Sequence, residues 1–121
     1  MNIKSYLLIS TLVVGIDAIF LNLISNTFKH QIKSIQGSEL RLNMISTALC
    51  YLLMTLGIYY FIVEKKFSMK DMAILGIFTY GIYELTNKAL FDKWYWKTVV
   101  LDGLWGGILF SLIHYLYHQI V

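Results

Sequence analysis

Tyr80-Gly81-Ile82-Tyr83-Glu84-Leu85-Thr86-Asn87-Lys88 sets an acid, an amide and a base inside an otherwise apolar segment. Around it the apolar residues gather into long runs instead of alternating with charge. Of the 121 residues, 58% are hydrophobic and only 14% are charged. A soluble domain of this size has too small an interior to hide that much apolar surface. Composition and pattern together predict an all-α, lipid-embedded chain: an integral membrane four-helix bundle in one domain, 1–121.

The first predicted span covers about 5–25, roughly 20 residues or 30 Å of helix, which matches the hydrocarbon core. A cleaved signal peptide is the rival reading. The run is too long for one, holds Asp17 and Asn22, and lacks a small-x-small cleavage site. Between Asn26 and Gly37 the chain is polar with an apolar stripe of Phe28, Ile32 and Ile35, and Lys29 and Lys33 lie off that stripe. This predicts a short interfacial helix with snorkelling lysines. Gly37-Ser38 resets the chain, with Ser38 as a candidate N-cap. The second span, about 43–63, has no charge among its inner residues, and Tyr59 and Tyr60 mark its far interface. Ser68-Met69-Lys70-Asp71 has capping-box spacing and opens the third span, about 72–91. Trp94, Tyr95 and Trp96 form an expected aromatic belt before the fourth span, about 98–120.

Four spans put both termini on one side, with Lys4, Lys65, Lys66 and Lys70. The opposite side holds Lys29, Lys33, Arg41, Lys93 and Lys97. This small excess favours cytoplasmic first and third loops and outward termini. The net charge of +3 suits anionic headgroups, so membrane lipids are expected partners; no basic cluster is dense enough for nucleic acid. Cys50, the only cysteine, excludes an intrachain disulfide.

A charge at the bilayer centre costs on the order of 3 kcal/mol, so each ionisable residue inside a span needs a partner or a use. At about 1.5 Å per residue, Asp17 and Glu84 fall at nearly one level, roughly 10 to 12 Å from the same face. Asp102 and Lys88 are expected closer to that face. The four residues form a polar wedge. Glu84 and Lys88 are spaced as an i, i+4 ion pair. Tyr80, Glu84, Asn87 and Lys88 share one stripe of the third span, with Tyr83 in the same motif. Asp102, Trp105, Gly106 and Leu109 share one stripe of the fourth. Gly103, Gly106 and Gly107 permit close helix approach. The wedge reads either as a proton, cation or polar-ligand site or as a set of groups that neutralise one another and lock the bundle. Three acids against one lysine leave charge over, which favours a protonatable acid or a bound cation. His114 and His118 have the i, i+4 spacing of two metal ligands, but no acid or thiol completes a set. No metal, no cofactor and no catalytic residue is predicted, since no nucleophile–base or phosphate-cradling pattern occurs.

At these residues the chain resembles a family of small four-span membrane proteins, domain of unknown function number 2177. Three marks carry the resemblance: Asp17-Ala18-Ile19-Phe20-Leu21 in the first span; Tyr80-Gly81-Ile82-Tyr83-Glu84-Leu85-Thr86-Asn87 in the third; and Trp94 followed by Asp102-Gly103-Leu104-Trp105-Gly106. Glu84 stands where the family pattern has Asp, and Phe20 where it has Trp. The resemblance implies the architecture and the key positions, not an activity. The leading expectation from the residues is a small transporter or channel component using Asp17 and Glu84 for proton or cation handling. Four helices enclose little space, so a second copy is expected. The alternatives are a lipid-acting membrane enzyme or accessory protein, and a structural membrane protein with internal ion pairs.

Overall fold

The computed structural model describes residues 1–121 and contains five helices and no strand. In chain order they are α1 (Ile3–Leu23), α2 (Ser25–Gln36), α3 (Met44–Tyr59), α4 (Met69–Leu90) and α5 (Trp96–Ile120). A π-helical turn, Tyr60–Glu64, carries α3 on to the chain reversal at Lys66, which adopts a left-handed φ of 55°.

The caps follow local chemistry. Asn2 and Asn43 accept the backbone N–H groups of Ser5 and Ser46, opening α1 and α3. Ser68 accepts from the N–H of Asp71 and opens α4, as its spacing predicts. Ser38 caps nothing, because α3 starts only at Met44 and takes Asn43 instead. Gly37, at φ 75°, ends α2 in the left-handed conformation that glycine adopts without a Cβ clash.

α1, α3, α4 and α5 form an up-down bundle. α4 and α5 share the most extensive interface and run antiparallel. The helix backbones touch where glycines meet: a Cβ added at Gly76 or Gly106 would run into the other residue's carbonyl oxygen. One at Gly107 would come within 2.7 Å of Ile77 Cγ1. Gly103 is buried but not tight, since a Cβ there would sit 3.8 Å from Gly81 Cα. The predicted set of three packing glycines therefore becomes Gly76, Gly106 and Gly107.

The two halves of the bundle differ in content. The half that holds the termini has a dry core, including Ile9, Val13, Ile58, Met72, Leu109 and Ile113. Hydrogen bonds from Asn2 N–H to Tyr59 Oη at 2.8 Å and between the Ser5 and Tyr117 hydroxyls at 2.9 Å close that end. The other half buries the polar cluster. Outside, α3 presents Ile45 at 75% and Leu53 at 69% exposure. That is a surface lipid tolerates and water does not.

Three helices are long and apolar enough to cross a membrane: α1, α3 with its π turn, and α5. α4, read from sequence as the third of four spans, does not meet that test. Its 22 residues suffice in length, but Lys70, Asp71, Glu84, Asn87 and Lys88 hold down its apolarity. Sequence boundaries agree with the helices to within about three residues.

Candidate functional site: two buried acid clusters

Asp17 and Glu84 each lie six residues before the end of their helix, and Asp102 lies six residues after the start of its own. The rise of an α-helix puts all three about 9 Å below the same end of the bundle. Asp102 is thus level with Glu84, not nearer the face. The single wedge expected from sequence divides into two clusters around α5.

Asp17, 6% exposed, is the centre of the first. Tyr51 Oη from α3 donates to Oδ2 at 2.6 Å, and Trp105 Nε1 from α5 donates to Oδ1 at 3.1 Å. Tyr80 Oη from α4 makes a longer contact of 3.5 Å to Oδ1 and lies 3.7 Å from Met54 Sδ. Every group aimed at Asp17 is a donor, which suits a carboxylate, an acceptor-only group. Phe20 stacks flat on Trp105, with ring centroids 4.3 Å apart, and fixes the indole that reaches Asp17. The acid is well provided for, and three different helices provide for it.

Glu84 is fully buried and centres the second cluster. Trp94 Nε1 donates to Oε1 at 2.8 Å, while Oε2 is buried with no hydrogen-bond partner. The Asp102 carboxyl group lies within hydrogen-bonding reach of Glu84. Two acids face each other, and no basic side chain pairs with either.

The ion pair expected between Glu84 and Lys88 does not form. Lys88 Nζ points outward along α4 and donates to the carbonyls of Trp94 at 2.8 Å and Asp92 at 3.2 Å. It lies 5.6 Å from the centroid of the Trp96 ring. The ammonium closes the α4–α5 turn, where carbonyls lack helical partners, and Glu84, one turn deeper, takes the indole N–H instead. Trp94 is correspondingly no belt residue. It is 2% exposed, turned inward between Phe28 and Phe91, whereas Trp96 is 62% exposed. Asn87 is half-buried, its backbone carbonyl accepting from Phe91 N–H at 2.8 Å. Tyr83, 51% exposed, faces outward and joins neither cluster.

These elements carry the marks of one family. The chain matches, over residues 2–116, the family described as "Predicted membrane protein (DUF2177)". It belongs to that family. No curated protein and no solved structure matches it. Among the residues quoted for the resemblance, Asp17 with Trp105, and Glu84 with Trp94 and Asp102, make up the two acid clusters. Glu84 accepts the Trp94 indole N–H at 2.8 Å.

Four contributors in this DUF2177 chain escape a reading of the sequence. Tyr51 is an ordinary aromatic in an uncharged span; its one signal is a phenol at mid-span, where a hydroxyl needs a partner. Gln31 is fully buried although α2 is polar overall, and its Oε1 accepts Tyr95 N–H at 2.6 Å. It shares the face of Phe28 and Ile35, a hint that the face packs on protein. α2 is in this way clamped to the α4–α5 turn, with Lys93 Nζ 3.3 Å from the Ser34 carbonyl and His30 Nδ1 2.9 Å from Tyr95 Oη. Thr98 is buried with its hydroxyl unpartnered, and Gly76 completes the helix contact. At the other end His114 Nε2 donates to the Phe67 carbonyl at 2.9 Å, which ties α5 to the α3–α4 reversal. Outside the bundle, Lys33 and Glu39 pair at 2.9 Å. The pair holds the lysine above and the carboxyl below its ordinary range, first by the hydrogen bond and then by charge attraction.

Proposed function

We propose that this protein handles protons inside the membrane, as a small transporter or channel component, through the facing acids Glu84 and Asp102. The observation that carries the reading is Glu84: fully buried, one oxygen bonded to Trp94, the other without a partner, and Asp102 alongside. Two carboxylates side by side in a low-dielectric interior repel, and the pair is relieved when one proton is shared between them. Such a pair holds a proton that can be exchanged. Asp17 differs: its three donors make it an anchor, so the carrier role expected for it from sequence passes to Asp102.

In this reading α4 crosses the membrane as a fourth span, with Tyr80 turned toward Asp17 of α1 and Glu84 toward Asp102 of α5. A second copy of the chain completes the pathway, since four helices enclose little space.

Proton flux into liposomes tests it, with wild type beside Glu84→Gln and Asp102→Asn and thermal melting in parallel. Flux in wild type that falls at least about tenfold in variants that melt normally is the expected result, the range in which a positioned proton-transfer group contributes. Sodium or potassium flux without proton flux would turn the reading toward a metal cation. No flux in wild type would sink it.

A second reading rests on a separate feature. An open cleft of about 480 Å³ at the α4–α5 turn is lined by Ser34, Lys88, Asp92, Lys93, Trp94, Tyr95 and Trp96, two ammonium groups against one carboxylate. Aromatic rings beside ammonium groups suit an anionic lipid headgroup. Mass spectrometry of lipid retained by the purified protein, against Lys88→Met with Lys93→Met, separates a lipid-acting role from proton handling.

A further inference from the structure

We propose that the crevice between the α1–α2 corner and the start of α5 is a hydrated vestibule through which water carries protons to Asp102. Its use by the protein rests on the proton reading above; its hydration does not.

The crevice has a volume of about 190 Å³. Ile24, Thr27 and Phe28 form one wall, and Lys97, Thr98 and Asp102 the other. A single water needs only ~10–15 Å³ of such space, so there is room for several. The polar groups in the wall also require them. Thr98 is 4% exposed, and its Oγ1 is buried without a partner. A helical threonine commonly bonds the carbonyl four residues back, but Thr98 lies in the first turn of α5, and Trp94 precedes the helix. A buried hydroxyl left unpaired costs about 1–3 kcal/mol; Thr98 Oγ1 is closed off from the crevice by its wall, so a small opening of that wall brings it a water, while Asp102 already lines the space.

The position supplies that water. Both walls lie at helix ends, which the four-span reading puts at headgroup level, and Asp102 lines the crevice. Asp102 in turn is faced by Glu84 from α4, and the charge of Asp17 on α1 acts on it from the neighbouring cluster. One carboxyl and two hydroxyls are too few oxygen ligands to strip a calcium or magnesium ion of its water. A proton needs only a chain of waters ending at an acid.

Cysteine accessibility tests the vestibule. In a Cys50→Ser background, Thr98→Cys and Thr27→Cys are each treated in liposomes with a charged, membrane-impermeant methanethiosulfonate reagent, added to either side. Leu104→Cys, on the lipid face of α5 at 57% exposure, is the reference. A thiol reacts as thiolate, so one in water reacts faster than one in apolar surroundings. We expect both crevice thiols, from one side only, to react at least about tenfold faster than the reference. Equal, slow reaction at 98 and 27 in folded protein would overturn the vestibule even if wild type carries protons. Fast reaction in a protein without proton flux would keep the vestibule and overturn the proton reading.

Discussion

The two buried acids of α1 and α4 look alike in sequence and are served differently in space. Asp17 receives a phenol at 2.6 Å and an indole at 3.1 Å; Glu84 receives one indole and leaves an oxygen bare. The stability of the chain should therefore hang on the partners of Asp17 more than on the charge of Glu84. Tyr51→Phe removes a hydrogen bond to a charged group and is expected to destabilise by about 1.5–3 kcal/mol in a denaturant titration of the detergent-solubilised protein. Tyr83→Phe, at an outward-facing phenol, is expected to change little. Equal effects would show that Tyr51 does not serve Asp17. None of this difference was legible in the sequence, which places an acid at a depth but does not name its donors. Tyr51 lies 34 residues from Asp17 and Trp105 lies 88 away, so only the folded packing brings them together.

Helices, by contrast, were readable in order and to within about three residues at their ends. Apolar runs of membrane length mark α1, α3 and α5, and Ser68 with Asp71 marks the start of α4. The α4–α5 contact was half legible. Gly106 and Gly107 signal a close approach, but Gly103 carries the same signal and makes no tight contact, while Gly76 supplies the opposing surface. Spacing shows that a helix can be approached, not where. Gly76→Ala and Gly106→Ala should each force the α4 and α5 backbones apart. The expected loss is the ~1–3 kcal/mol typical of overpacking, read as a lower midpoint in the same titration. Gly103→Ala has room for its methyl and should leave the midpoint within about 0.5 kcal/mol. The Glu84–Lys88 spacing misled for a related reason. Helical i, i+4 geometry permits that pair, but the open carbonyls of Asp92 and Trp94 offered Lys88 a better site.

Across the whole molecule, polarity is sorted by end, with a dry core at the termini and the acids near the α4–α5 turn. α4 belongs to both halves, since Met72 joins the core and Glu84 the acids. A helix that runs the length of its partner α5 in this way is expected to cross the bilayer, although composition alone does not qualify it. Reporter tags at Lys65–Lys66 and at Asp92–Lys93 should then report opposite sides of the membrane. Tags on the same side would show that α4 lies along the surface. The sorting also bears on how the chain is made. Every side chain aimed at Asp17 comes later in the sequence, on α3, α4 and α5, and Trp105 follows it by 88 residues. At ~5–20 residues per second of synthesis, the first span exists for about 4 to 18 s before that indole has been added to the chain. During this interval the acid must be sheltered by the insertion machinery or by water at the interface. Assembly is therefore completed only by the last helix, and a product truncated before α5 would present quality-control proteases with an acid that has its phenols from α3 and α4 but not its indole.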